Sequence, residues 1–110
     1  MTVQEYQEKA RRTQADNLTN EEKLFHAVFG LAAEAGEVAG ILQKNYQGHP
    51  LDKMHLIREL GDCLWMISEA CDVIGVGMDQ VMKVNILKLI ERYPEGFSAD
   101  RSMHRADGDV

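Results

Sequence analysis

Glu34 with Glu37, and Glu59 with Asp62, form two acid pairs of equal spacing, the first within GLAAEAGEVAG and the second within ELGDCLWMI. An ionised carboxylate among apolar residues has to be paired, protonated or bound to a cation, because leaving water uncompensated is costly. Residues three apart on an α-helix differ by about 60° around the axis and about 4.5 Å along it, so both acids of each pair face one way and can chelate or bridge an ion. All four offer hard oxygen, and no histidine stands third after either glutamate. That set suits Mg²⁺ or Mn²⁺ and argues against the Glu-x-x-His pattern of di-iron bundles. The competing reading is of solvated helix charges, with Glu37 pairing Lys44 and Arg58 pairing Asp62.

Helices have to carry these pairs. Thr2 and Thr19 each stand three residues before a glutamate, Glu5 and Glu22, the capping-box pattern of a helix start. The first helix is predicted to end at about Thr13 or Ala15, before the polar segment ADNLTN. The second runs to about Tyr46, where Gly48 and Pro50 stop it. Its apolar residues Leu24, Val28, Leu31, Ala35, Val38, Ala39 and Leu42 recur at helical period. Glu34 falls in the row of Ala27, Leu31, Val38 and Ile41, whereas Glu37 falls in the row of Gly30, Ala33, Gly40 and Lys44. Each glycine there weakens a helix by about 1 kcal/mol relative to alanine, which points to close approach of another element. A third helix, from about Asp52 to Ile74, carries Leu56, Leu60, Leu64, Ile67 and Cys71 and ends at Gly75. A fourth runs from Met78 to about Arg92, with Val81, Val84, Leu87 and Leu89 as its apolar set. Pro94 then forbids continuation, and a polar tail follows from about residue 94. No strand pattern, internal repeat or domain boundary appears, so residues 1–110 read as one all-α unit of four-helix-bundle type with antiparallel neighbours.

Composition narrows the partners. Twelve basic against eighteen acidic residues give a formal charge of -6, with no basic run of the kind that binds polymeric DNA or RNA. A small polyphosphate is compatible with that charge when divalent metal stands between carboxylate and phosphate. The polar N-terminus lacks a secretory core and no apolar stretch reaches membrane-span length, so a cytoplasmic protein without membrane contact is expected. Cys63 and Cys71 lie about 12 Å apart along one helix, too far for a disulfide, and read as reduced core thiols. A chain of 110 residues leaves little room for a large monomeric core, so oligomerisation is expected. His26, His49, His55 and His104 show no mutual ligand spacing and read as surface or capping residues.

EAGE, followed after twenty-one residues by ELGD, resembles the E-x-x-E, spacer, E-x-x-D motif of the MazG-like nucleotide pyrophosphohydrolases, and NILKLIERYPEGFS is similar to the same family. The resemblance runs from about Leu24 to Phe97. It implies a MazG fold and a nucleoside triphosphate substrate cleaved to monophosphate and pyrophosphate. Glu34, Glu37, Glu59 and Asp62 are the positions that the family uses to hold Mg²⁺ against the triphosphate and to activate water for attack on the α-phosphorus. Many relatives carry a further glutamate where this chain has Ala33. By the same resemblance Asn85 and Lys88 match positions that contact phosphate or water, with Arg92 following. Lys44 and Trp65 are additional candidates, the first for phosphate and the second for stacking on a base. Nucleotide-pool house-cleaning and a homotetramer built as a dimer of dimers are further implications. Two alternatives stand beside it: a specialised member acting on dUTP or phosphoribosyl-ATP, and a helical binding or regulatory module without catalysis.

Overall fold

The computed structural model describes all 110 residues, in helices α1 (Val3–Arg11), α2 (Asn20–Tyr46), α3 (Lys53–Ile74), α4 (Met78–Arg92) and α5 (Ala99–Met103). They fall into two compact units, Met1–Met78 and Asp79–Val110. Local chemistry sets most helix ends. Thr19 and Glu22 close a full capping box, each side chain meeting the other's backbone N–H at 3.2 Å. Thr2 makes half of one: its hydroxyl accepts from the Glu5 N–H at 3.0 Å but donates to the Glu5 carboxylate rather than leaving it for the backbone. Asp52 caps α3 through the His55 N–H at 3.0 Å. At the other end of α3, Gly75 takes φ 76, a left-handed conformation that glycine adopts without penalty.

Two boundaries depart from the sequence reading. Helix α1 stops at Arg11 rather than near Thr13 or Ala15, because the Thr13 N–H and hydroxyl both turn back onto the Ala10 carbonyl, at 3.0 and 2.8 Å. Beyond Pro94 the polar segment forms the short α5, capped by Ser98 on the Arg101 N–H at 3.3 Å. A five-residue helix with no buried residue offers no apolar period to detect.

In the unit Met1–Met78, α3 packs against both α2 and α1. Buried residues of α2 are Ala27 and Ile41, in the row that also holds Glu34. Those of α3 are Ser68, Glu69 and Cys71. Met66 of α3 packs onto Gly30 of α2, since a Cβ placed there would stand 2.5 Å from its Sδ. Gly36 and Gly40 face open space instead, so the expected close approach is confined to Gly30. Polar contacts add to the packing. The Glu69 carboxylate, buried at 1% exposure, pairs with Nδ1 of His26 at 2.5 Å. His26 is a surface residue, 48% exposed, that also partners a buried acid.

Helix α1 is fastened to the end of α3 by Asp72, which accepts from Arg11 at 2.8 Å, Gln7 at 2.8 Å and Gln14 at 2.6 Å. Gln7 in turn accepts from the Met78 N–H at 2.9 Å. Asp72 lies below the usual aspartate range: burial pushes its pKa up, and hydrogen bonds from Arg11, Gln7 and Gln14 with the Arg11 charge more than offset it. Burial first, and then Asp72, pushes the free Cys71 thiol up, as suits a core cysteine.

Several residues of the expected apolar stripes are uncovered. Val28 and Leu42 on α2 and Leu60 and Leu64 on α3 all remain substantially exposed, together with the stacked pair Phe25 and Phe29. The apolar surface of each helix is wider than one neighbour can cover. That breadth also corrects the expectation about span length: α2 contains an 18-residue window of mean hydropathy 1.3 and is long and apolar enough to cross a membrane by length and composition alone. Only 11% of that window is buried, so packing against α3 accounts for a small part of its apolar composition.

Candidate metal centre

Helices α2 and α3 each contribute acids to one place. Carboxylate oxygens of Glu34, Glu59 and Asp62 lie within 4.8 Å of one another, a donor set able to hold a metal ion. Glu34 and Glu59 are half-buried and Asp62 is exposed, so the cluster has a packed floor and an open mouth. Glu34 shows the strain of this assembly. Its pKa is raised, first by a hydrogen bond shared with Glu59, then by burial, then by the negative charges of Asp62, Glu59 and Glu37. A divalent cation held among these oxygens would relieve the same repulsion.

Glu37 is the member of the sequence-predicted quartet that does not join the three. It is exposed, and although its charge reaches Glu34, it lines a neighbouring open cavity of about 240 Å³ with Lys44, His49, Asp52 and His55. Neither ion pair of the competing reading, Glu37 with Lys44 or Arg58 with Asp62, is among the salt bridges that form; these are Arg11–Asp72, His26–Glu69, His55–Glu59, Lys83–Asp79, Arg92–Asp109 and His104–Asp100.

Two contributors were missed in the sequence. His55 stands 3.3 Å from Glu59 through Nε2, one helical turn before it, and so borders both the acidic cluster and the cavity. The i, i+4 spacing of His55 and Glu59 is a signal present in the sequence itself. Tyr6 on α1 feels Asp62: its phenol pKa is raised by burial and then by that carboxylate. No local signal could have announced Tyr6, because α1 reaches α3 only through tertiary packing.

Trp65 is held by a hydrogen bond from Nε1 to the Thr13 hydroxyl at 2.8 Å and meets His26 edge to face at 6.1 Å between centroids. Asn85, Lys88 and Arg92 all lie on α4, in the second unit. There Arg92 makes a two-pronged ion pair with Asp109, at 2.9 Å from Nε and 2.7 Å from the terminal nitrogen.

An all-α scaffold presenting acids from two packed helices defines the class as a helical protein with a carboxylate cluster able to hold a metal ion. Residues 24–97 match the model of the MazG nucleotide pyrophosphohydrolase domain, and the chain belongs to that family. It is thus a nucleotide pyrophosphohydrolase, a hydrolase acting on phosphoric anhydrides. Neither the curated proteins nor the solved structures compared with the chain gave a match.

Proposed function

We propose that the protein hydrolyses (deoxy)nucleoside triphosphates to monophosphate and pyrophosphate with Mg²⁺ as its cofactor, Mn²⁺ being able to replace it, in the cleaning of nucleotide pools. The observation that carries this reading is the convergence of Glu34, Glu59 and Asp62 from two helices. A divalent ion bound there would neutralise phosphate charge and make water a better nucleophile. The carboxylates would hold the ion, and Glu37, beside them on α2 and lining the cavity, completes the proposed set. With Ala33 in place of a further acid, the proton leaving water falls to one of these four carboxylates. Lys44 in the cavity and Asn85, Lys88 and Arg92 on α4 are proposed as substrate contacts, and Trp65, oriented by Thr13, as a stacking surface for the base.

We further propose a cytoplasmic homotetramer, a dimer of dimers, which would cover the exposed apolar faces of α2 and α3. Pyrophosphate release should be measured across a panel of canonical and modified nucleotides with Mg²⁺. Release from at least one substrate, lost with EDTA, is expected. A folded, metal-loaded sample that cleaves none of them overturns the reading, and a sharp preference for dUTP or phosphoribosyl-ATP would replace house-cleaning by a specialised role.

A further inference from the structure

The second unit gathers several basic side chains about the Asp109 carboxylate. An open cavity of about 220 Å³ there is lined by Glu91, Arg92, Arg101, His104, Arg105 and Asp109. Arg92 is its centre, with only 10% of its side chain exposed, unusual for an arginine in a small helical unit. Its guanidinium lies at 6.0 Å from the Tyr93 ring and presents a two-nitrogen fork that Asp109 fills. The Asp109 N–H donates to the Ala106 carbonyl at 3.1 Å, so a tight turn aims the carboxylate inward. Lys88 stands one helical turn before Arg92. Together they lower the Asp109 pKa from the usual aspartate value: the Arg92 hydrogen bonds lower it, partial burial works against that, and the charges of Arg92, Arg105 and Lys88 lower it further.

Arginine forks accept carboxylate and phosphate with the same parallel geometry. A phosphoryl dianion carries more charge than Asp109 and three acceptor oxygens rather than two, so it can engage neighbouring cations that a single carboxylate leaves partly unused. On the reading of Lys88 and Arg92 as phosphate contacts, we propose that Asp109 is a built-in competitor for the Arg92 fork, displaced when a phosphoryl ligand arrives. This rests on, and deepens, the reading of Lys88 and Arg92 as substrate contacts. The chain regulates its own affinity: the site is available only for the fraction of time in which Asp109 is away, and apparent affinity falls by that fraction.

Calorimetric titration of the full chain with inorganic pyrophosphate in EDTA reads this site without the reaction and without metal. Asp109→Asn is expected to bind pyrophosphate about tenfold more tightly than the unsubstituted protein, the gain from a site otherwise closed about nine-tenths of the time. Arg92→Gln should lose the binding. In the unsubstituted protein, saturating pyrophosphate should speed amide exchange at Asp109 as the turn to Ala106 is released. Asp109→Asn binding no more tightly, Arg92→Gln binding as well as the parent, or an Asp109 amide that exchange finds unchanged or slowed by pyrophosphate would each overturn the proposal. Hydrolysis of the nucleotide panel with Mg²⁺ is scored separately. Displacement without hydrolysis leaves the anion site standing and removes the proposed reaction; hydrolysis without displacement does the reverse.

Discussion

At the scale of single residues, the acids divide into those that converge and those that flank. Glu59→Gln and Asp62→Asn each remove a charge from the converged set. Each is expected to lower kcat by at least about a hundredfold, the loss typical when electrostatic stabilisation of a reacting centre is removed, with helicity unchanged by circular dichroism. Glu37→Gln is expected to abolish turnover too; a variant retaining full activity would take Glu37 out of the metal set. Asp72 carries a stability role instead. An acid whose pKa is lowered on folding binds its proton more weakly in the folded state, so its contribution is present above the ordinary value of 3.8 and is lost as pH falls through the lower folded value. Asp72→Asn should cost about 2 kcal/mol at neutral pH by urea unfolding. Its stability should also fall less steeply than the parent's below about pH 4, and parallel acid titrations of the two would refute the assignment.

At the scale of elements, caps and glycines decide how firmly α2 and α3 are defined. Thr19→Ala removes the hydroxyl that accepts from the Glu22 N–H, while the residue-19 N–H can still donate to the Glu22 carboxylate, and should destabilise by about 1 kcal/mol. Gly75→Ala places a Cβ on a left-handed residue and should cost about 1 kcal/mol or slightly more. Gly30→Ala is expected to be nearly neutral in thermal unfolding. Alanine strengthens the helix, while the atoms in its way are Sδ and Cε of Met66, the movable end of a flexible side chain. A large loss there would mean that Met66 cannot turn aside.

At the scale of the whole molecule, the uncovered apolar surface is what the proposed tetramer would bury. Phe25 and Phe29 stack at 5.9 Å between centroids and yet stand 52% and 68% exposed. Light scattering is expected to return about four times the 12.4 kDa chain mass. Phe29→Glu should shift that mass downward by opposing burial of the α2 face. A single monomer peak at micromolar concentration in the parent would contradict the tetramer.

Helix positions were legible in the chain because they rest on local chemistry. The Thr19–Glu22 box, the Asp52 cap, Gly75 and Pro94 act within a few residues, and the ends of α2, α3 and α4 follow them. The acidic pairs were legible for the same reason, since spacing alone puts Glu34 in the row of Ala27 and Ile41 that turns out to be buried. What lay beyond local reach depended on which faces meet. Periodicity marked Leu60 and Leu64 as core, but α3 turns Ser68, Glu69 and Met66 toward its neighbours, and the buried acid is satisfied by His26 from another helix. The separation of Glu37 from Glu34, Glu59 and Asp62, the approach of Tyr6 to Asp62 and the closure of Asp109 on Arg92 likewise need segments distant in sequence or turned against each other. Hydrophobic period fixes an element's type, whereas the packing of two wide apolar faces selects one rotation among several, and that choice is made only in three dimensions.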